Sequence, residues 1–333
     1  MQSYLRRSTR LAAVLGISCV IAGCAPSSRT AYPKPVGADE YVRAVEILQT
    51  GDDEAAIAQL EQAVMLNPSL RMARMTLGEL FIARKEYDRA VPQLEAAADL
   101  DPYTLRNHYN LGLSLQMINQ LQQSAQAYIR GLKIAPDDFK SNMNVGLVYF
   151  ALNELDPAIY YLEKATRLQP TNARAWSNIG VVYDARGNLT FAEASYRKAL
   201  ELDSDAESTL INLTSNLINQ KKGSEAVAIA RQLVTVNPSS LSKKRLGDAL
   251  TSATRWDEAI AAYDSAIAAD ARFTPAINAK AEQFIAHYET DLRLDDTLRQ
   301  KALATWNESL KVVPDQTAVK VNLARWADAK VFR

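Results

Sequence analysis

The stretch "PTNARAWSNIGVVYDARGNLTFAEASYRKALELD", residues Pro170–Asp203, holds the pattern that decides the fold. It begins with a proline and carries Gly180 in its first half and Ala192 in its second half. Proline cannot continue a helix, so it marks the boundary of a new unit. Small residues allow two helices to approach closely. The stretch therefore predicts two amphipathic helices joined by a tight turn.

The same spacing recurs along most of the chain. Prolines recur every 34 residues, at Pro68, Pro102, Pro136 and Pro170. Glycines keep that interval at Gly78, Gly112, Gly146 and Gly180, and a small-residue slot follows at Ala56, Ala90, Ser124, Ala158, Ala192, Ala226, Ala259 and Ala302. A fixed period of this length indicates a stack of helical units. Because no unit buries its apolar face alone, the units must pack on one another.

The pattern resembles the tetratricopeptide (TPR) repeat. The resemblance rests on "LGELF", "VGLVY", "IGVVY", "DRAVPQL" and "DPAIYYL", and covers roughly residues 39–314. It implies an all-α fold, a right-handed superhelical solenoid of about eight helix-turn-helix repeats. The first repeat departs from the family pattern, because Arg43 and Ala44 stand where Leu-Gly is expected.

The last repeat is interrupted near residues 285–298 by "HYETDLRLDDTLRQ". We expect this insertion to lengthen the first helix by more than two turns before Asp295 or Asp296 caps the second helix. Residues 315–333 are predicted to form one helix that caps the exposed end of the stack. A docking role for Trp326 or for the lengthened helix is the alternative.

The N-terminus has the features of a secretory signal peptide. A basic start, "MQSYLRRSTR", precedes an apolar run from Leu11 to Ala22. That run is well short of the roughly 20 residues that span a bilayer. "IAGC" then resembles the lipobox of bacterial lipoproteins, which implies removal of residues 1–23 and a lipidated Cys24. An ordinary signal peptide with an incidental cysteine is the alternative.

The resemblance also indicates a location. Ala25 is not the aspartate that favours inner-membrane retention in the Gram-negative family, so the outer membrane, facing the periplasm, is implied. Residues 24–38 are rich in Pro and Ser and are predicted to be a flexible tether. Residues 1–23 contain three arginines and no acid, so the remaining chain has three more acidic than basic residues. This balance gives no indication of nucleic-acid binding.

No catalytic or metal motif is evident in the sequence. There is no Gly-rich phosphate loop, no metal-spaced Cys/His set and no nucleophile elbow. His108 occupies a bulky packing slot of its repeat, and His287 lies far from it in another repeat. His287, Glu289 and Asp291 do not share one helical face. We therefore expect no enzyme activity, no cofactor and no metal.

The first helix of each TPR repeat is expected to line a groove for protein or peptide ligands. We number the positions of each first helix as slots, so that Leu105 is slot one of its helix. Slots two, six, nine and thirteen share a face of the helix. Slot six holds Asn110, Asn144, Asn178 and Asn212, and slot two holds Arg106, Lys140 and Arg174. Amides can pair with a peptide backbone, because they both donate and accept hydrogen bonds. Alternatively, asparagine at this slot is family background. The nearby apolar side chains expected to anchor a ligand are Met72, Met75, Tyr109, Met117, Met143 and Phe150.

The basic and amide slots partly resemble the carboxylate-clamp type of TPR groove. The match is incomplete, because the clamp's other positions hold Met143, Leu147, Ser177 and Val181. Repeat and anchor together are similar to the TPR lipoproteins of tight-adherence (Flp) pilus systems and to type IV pilus pilotins. That similarity implies a scaffold that assembles an envelope machine. An outer-membrane adaptor of a cell-wall synthase or protease, and an enzyme within the last 60 residues, are the alternatives.

Overall fold

The computed structural model describes residues 34–290 and 295–327, which form 17 helices and no strand. The helices are α1 (Ala38–Thr50), α2 (Asp53–Leu66), α3 (Arg71–Ala83), α4 (Tyr87–Leu100), α5 (Leu105–Met117), α6 (Leu121–Ile134), α7 (Phe139–Ala151), α8 (Leu155–Leu168), α9 (Ala173–Ala185), α10 (Leu189–Leu202), α11 (Glu207–Asn219), α12 (Gly223–Val236), α13 (Ser240–Ser252), α14 (Trp256–Ala269), α15 (Thr274–Thr290), α16 (Asp296–Val312) and α17 (Thr317–Ala327). The predicted signal peptide, Cys24 and most of the predicted tether lie outside the described residues.

The helices form eight consecutive pairs followed by α17. The prediction of an all-α fold with about eight repeats and a C-terminal capping helix is confirmed. The chain divides into two compact units, residues 1–161 (unit 1) and residues 162–333 (unit 2), with the division inside α8. In the described part of the chain, no helix combines the length and the apolar character that crossing a membrane requires.

A tight turn with one left-handed residue joins the two helices of most pairs. The positive-φ positions in successive repeats are Lys85, Asn119, Asn153, Gly187, Lys221 and Thr254. In the repeat that begins at Pro170, the amide of Asn188 then donates to the carbonyl of Tyr183 at 2.9 Å. This bond satisfies one of the carbonyl groups that the end of a helix leaves open. The amides of Arg186 and Gly187 likewise donate to the carbonyls of Val182 and Asp184, so the turn is closed by backbone hydrogen bonds.

The boundary prolines are held by the helix that follows them. A side-chain N–H donates to the carbonyl of the proline six residues earlier in four successive repeats. The bonds are Arg74 Nε to Pro68 at 2.5 Å, His108 Nε2 to Pro102 at 2.9 Å, Asn142 Nδ2 to Pro136 at 2.9 Å and Trp176 Nε1 to Pro170 at 2.9 Å. Four different residue types thus make one equivalent bond. The packing role expected for His108 is confirmed by its 4% exposure.

The helices at the end of unit 2 are longer than those of the earlier pairs. Helix α15 has 17 residues where the first helices of earlier pairs have 13, and α16 has 17 residues where their second helices have 14. Residues 291–294, which follow α15 directly, lie outside the described residues, so the predicted lengthening of the first helix by more than two turns stays a prediction. The cap is confirmed at Asp295, whose side chain accepts from the amide of Thr297 at 2.9 Å.

Helix α17 closes the core at this end. Val319 and Trp326 are buried in a cluster with Tyr288 and Trp306. Arg299, 7% exposed, donates to the carbonyl of Trp326 at 2.8 Å and pairs with Asp296. Because a buried guanidinium needs such partners, this arginine ties α16 to the last turn of α17. These contacts explain why Arg299 is buried and give it a structural role.

Candidate functional site

In unit 1 the predicted groove residues of α5 meet the neighbouring first helix, α3. Arg106 Nε lies 2.5 Å from Oε1 of Glu79, and Asn110 Nδ2 donates to the same oxygen at 3.0 Å. Burial raises the pKa of Glu79, although the charge of Arg106 and the hydrogen bond from Asn110 oppose this effect. Arg106 is therefore already paired within the protein. Glu79 occupies slot nine of its repeat and is not among the predicted site residues.

The next pair of first helices, α5 and α7, meet through tyrosine hydroxyls. Nδ2 of Asn144 donates to the hydroxyls of Tyr109 and Tyr128, both at 3.2 Å. Tyr128 in turn donates to Oε1 of Gln116 at 3.2 Å, and its ring packs edge-on against Tyr109 with centroids 5.7 Å apart. Burial raises the pKa of both phenols, so both stay protonated at neutral pH. The network holds the amide of Asn144 in one orientation.

Asn110 and Asn144, the two predicted groove asparagines of unit 1, each keep a side-chain oxygen that can accept a hydrogen bond. Among the residues described, no donor bonds to Oδ1 of Asn110 or of Asn144, and Lys140 forms no ion pair. Of the predicted apolar anchors, Met72 is 38% exposed and Met117 is 54% exposed. Met75, Tyr109, Met143 and Phe150 are half-buried. We call this surface the first-helix face of unit 1, defined by Met72, Met75, Glu79, Arg106, Asn110, Met117, Lys140 and Asn144.

In unit 2 the predicted groove residues have fewer partners. Nδ2 of Asn178 is buried, and no acceptor for it exists in the described part of the chain. Arg174 is exposed and Asn212 is half-buried. Ser177, one of the positions that depart from the carboxylate clamp, accepts a hydrogen bond from Thr209 at 2.9 Å. Unit 2 therefore contributes an unpaired amide donor and an exposed cation at the expected slots.

An ion cluster with a buried carboxylate lies elsewhere in unit 2, around Glu193 of α10. Its carboxylate accepts from Arg197 Nε at 2.9 Å, from Lys222 Nζ at 2.6 Å and from Gln220 Nε2 at 2.8 Å. Burial alone would raise the pKa of Glu193, but the three hydrogen bonds outweigh it and hold the pKa at about 2. All three partners come from α10 or from the turn between α11 and α12. The cluster joins two neighbouring repeats of unit 2.

The histidines show no common site. His108 is packed in its own repeat, and His287 stacks on Trp256 with ring centroids 6.2 Å apart. Across residues 34–290 and 295–327, no group of three or more His, Cys, Asp or Glu side chains is arranged to hold a metal ion.

These features define a class: a helical-repeat protein whose polar and apolar side chains line the faces of its first helices. Models described as "tetratricopeptide repeat" match residues 41–103, 173–205 and 216–272, and one described as "TPR repeat" matches residues 146–187. The matches together span more than half of the chain. The protein therefore belongs to the tetratricopeptide repeat family.

The chain is also similar to several solved structures. A tetratricopeptide repeat protein from Parabacteroides merdae is 16% identical, with a TM-score of 0.55 over 78% of this chain and 99% of its own. The Cut9–Hcn1 hetero-tetramer of the APC/C contains a chain that is 14% identical, with a TM-score of 0.51 over 86% of this chain and 55% of that one. MamA is 25% identical over 48% of this chain and 94% of its own, with a TM-score of 0.47. The first two establish the solenoid fold alone. No curated protein matches the sequence significantly.

Proposed function

We propose that the protein is a lipid-anchored, periplasm-facing scaffold that binds protein or peptide segments while an envelope machine, such as a pilus or a secretion system, is assembled. Membership of the TPR family supports protein binding as the general role. The lipobox-like "IAGC" and the preceding signal-like segment support the anchor. Several acyl chains on Cys24 would hold the body stably at a membrane, whereas one chain would not.

One observation carries the binding role: Asn144 is held by two tyrosine hydroxyls and keeps an acceptor oxygen on the first-helix face of unit 1. An oriented amide loses little freedom when it accepts a backbone N–H from an extended peptide. Packed helices lie about 8–10 Å apart. An extended peptide rises about 3.3 Å per residue. Asn110 and Asn144 therefore match peptide groups about three residues apart.

Hydrogen bonds alone do not give useful affinity. Each contributes a net value of about 0.5–1.5 kcal/mol. Micromolar binding requires about −8 kcal/mol. Met72 and Met117 supply exposed apolar surface on the same face. Because methionine adapts its shape to different contacts, this surface suits several client segments.

The binding role is tested by photo-crosslinking in cells from a crosslinking residue placed at Met117. We expect client proteins to be captured, and Asn110→Ala combined with Asn144→Ala to reduce capture at least fivefold. Asn307→Ala is the matched control, because Asn307 is exposed on α16 and bonds only to the carbonyl of Leu303. Capture that the double variant leaves unchanged would show that the asparagines are background. The captured proteins also decide between an assembly role and an adaptor of a cell-wall synthase or protease.

The anchor is tested with the chain's two cysteines. We expect Cys24→Ala to abolish labelling with radioactive palmitate and to release the protein from the membrane fraction. Cys19→Ala is the control, since the proposal removes Cys19 with the signal peptide. Labelling that persists without Cys24 would rule out the lipoprotein proposal and leave the binding proposal standing.

A further inference from the structure

The turns that join one repeat of unit 1 to the next form one edge of the unit. Because successive helices run in opposite directions, these turns lie at one end of the helices, and the turns within each pair lie at the other end. We call the first end the inter-repeat edge. A Cβ built on Gly37 would lie 2.7 Å from the carbonyl oxygen of Ala63. The start of α1 therefore lies against the last turn of α2, at this same edge.

Neighbouring turns contact one another along the inter-repeat edge. Nη1 of Arg71, at the start of α3, lies 2.7 Å from Oδ2 of Asp101, which follows α4. Tyr103 and Ile134, from the two successive turns around α5 and α6, line one hollow of about 330 Å³. The turns at residues 67–70, 101–104 and 135–138 therefore form a continuous surface.

Large apolar side chains are exposed along this edge. Those with exposures between 37% and 83% are Val36, Met65, Leu66, Leu100, Tyr103 and Ile134. The exposed prolines of the same turns are Pro68, Pro102 and Pro136. Single exposed apolar residues are normal, but a contiguous group of them marks a site of interaction with a protein or a membrane.

Two of these side chains are not part of the repeat pattern. Leu66, Leu100 and Ile134 share one slot at the 34-residue period. In contrast, the positions equivalent to Met65 in the next four repeats hold Asp99, Lys133, Arg167 and Glu201. The positions equivalent to Tyr103 in four other repeats hold Ser69, Asp137, Thr171 and Asp205. Met65 and Tyr103, 78% and 83% exposed, are thus apolar where the other repeats are polar.

The opposite edge of unit 1 is polar. In the turns at residues 51–52, 84–86, 118–120 and 152–154, every exposed side chain is polar or charged. Met117, which ends α5 beside one of these turns, belongs to the first-helix face of unit 1. The turns of this fold therefore do not require exposed apolar groups, and those of the inter-repeat edge need a separate explanation.

The position of the proposed anchor indicates what covers the inter-repeat edge. Lys34, the first described residue, lies just before α1 at this edge, and Cys24 lies ten residues earlier in the sequence. Ten residues span at most about 36 Å. A lipidated Cys24 would therefore keep this edge close to a bilayer. Tethering raises the effective concentration of the second contact, so that even weak contacts form.

The polar groups of the edge are compatible with phospholipid headgroups. Lys34 pairs with Asp39, so this part of the edge carries no net charge. Arg130 and Lys133 form no ion pair with any described residue. Long cationic side chains place their charge among headgroups while their aliphatic parts follow apolar neighbours. Tyr103 has the ring with one polar end that is enriched at membrane interfaces.

We propose that the inter-repeat edge of unit 1 rests on the phospholipid surface of the membrane that holds the anchor. Met65, Tyr103 and Ile134 enter the boundary between headgroups and acyl chains, where peripheral proteins bury their apolar groups. The helices of unit 1 then stand upright on the membrane. A 13-residue helix is about 20 Å long, so the opposite edge lies about that far above the bilayer. This inference rests on the lipid anchor of the proposed function and adds an orientation to it.

The test uses the protein as the cell processes it, purified and reconstituted in vesicles of phosphatidylethanolamine and phosphatidylglycerol. A fluorophore is attached to a cysteine introduced by Ser69→Cys at the inter-repeat edge or by Gln120→Cys at the opposite edge, both exposed positions. A phospholipid with a nitroxide near its headgroup quenches only fluorophores close to the bilayer. We expect quenching at residue 69 to be about threefold stronger than at residue 120, because the edges are about 20 Å apart. Equal quenching at both positions, or none at residue 69, would overturn the proposal.

Serine variants assign the contact to the exposed apolar groups. Met65→Ser combined with Tyr103→Ser should lower the quenching at residue 69 about twofold or more, because less apolar surface enters the bilayer. Tyr160→Ser is the matched control, since Tyr160 is 59% exposed on α8 and lies away from the inter-repeat turns. If Tyr160→Ser lowered the quenching as much as the double variant, the proposal would be wrong.

Dye uptake by the protein without an introduced cysteine separates this inference from the anchor. An acylated Cys24 takes up no thiol-reactive dye, whereas a free Cys24 does. Uptake would refute the anchor and this inference with it. No uptake, combined with equal quenching at residues 69 and 120, would refute this inference alone and leave the proposed function standing.

Discussion

The ring of Tyr196 lies directly against the backbone of Gly180. A Cβ atom built on Gly180 would lie 2.6 Å from Cε1 of that ring, closer than any normal carbon contact. Tyr196 is 1% exposed, and its hydroxyl donates to Oδ2 of Asp184 at 2.8 Å. Asp184 lies one turn after Gly180 on α9. Glycine at this slot is therefore required by the aromatic residue opposite it. The same contact recurs between Gly112 and Tyr128.

Replacing this glycine should destabilise the protein. Gly180→Ala forces the buried ring of Tyr196 to move, and overpacking of this kind costs about 1–3 kcal/mol. Alanine's higher helix propensity returns at most about 1 kcal/mol. We expect a net loss in the free energy of unfolding, measured by urea denaturation followed by circular dichroism.

Gly131 of α6 provides the control for that experiment. A Cβ on Gly131 would first meet Cδ1 of Leu105 at 3.0 Å, and this atom ends a flexible side chain. Gly131→Ala should therefore be near neutral or slightly stabilising. An equal loss in both variants would mean that the close contact with Tyr196 is not the cause.

The turns between paired helices offer a second prediction. Thr254 has φ 59°, and Gly187 holds the equivalent turn position with φ 81°. A β-branched residue is strained in the left-handed region, and glycine is not. Thr254→Gly should stabilise the protein by about 1 kcal/mol, and Gly187→Thr should destabilise it by at least that amount. Thermal unfolding midpoints that move in the same direction in both variants would contradict this reasoning.

The repeat period was sufficient to predict the fold. Pro136 and Pro170 lie between helices, where proline cannot continue a helix, so these helix boundaries follow from local chemistry. The end of unit 2 could not be predicted as well. There the extra residues can extend either helix of the pair, and in the described residues both helices have 17 residues. Local sequence does not contain that information.

The site was predicted only in part for a related reason. Asn110 and Asn144 lie on the side of their helices that contacts the preceding first helix. The slot rule says nothing about their partners, because these come from other repeats. Glu79 lies 31 residues before Asn110, and its carboxylate occupies both Asn110 and Arg106. Such pairing depends on side-chain reach between helices, which a one-repeat pattern does not describe.

The ion cluster around Glu193 predicts a pH dependence of stability. Its pKa is about 2 in the folded protein, against an ordinary value of 4.5. A lowered folded-state pKa contributes stability that is fully present above pH 4.5 and is lost as the pH falls toward 2. We expect this group to account for roughly 1–3 kcal/mol of the loss over that range.

Glu193→Gln tests that assignment. The variant should be less stable at pH 7, because Lys222 and Arg197 lose their anionic partner. Its unfolding free energy should also fall less steeply between pH 4.5 and 2 than that of the unmodified protein. Urea denaturation at several pH values gives both quantities. Parallel pH profiles for the two proteins would show that Glu193 does not titrate in this window.

The pairing of Glu79 with Arg106 leads to a prediction about ligand choice. While Glu79 is ionised, its negative charge neutralises that of Arg106. The first-helix face of unit 1 then relies on Lys140 for positive charge. Glu79→Gln removes the competing carboxylate and keeps an oxygen that can accept from Asn110. We expect the variant to bind acidic peptides several-fold more tightly, with a steeper loss of affinity as salt is added. Affinity for neutral peptides should not change. The comparison is made by fluorescence anisotropy with matched acidic and neutral peptides.

Arg106→Gln is the control for this prediction. In a protein that carries Arg106→Gln, adding Glu79→Gln should bring no gain in affinity, since the cation to be released is absent. A gain of equal size in both backgrounds would assign the effect to general charge on this face and not to Arg106.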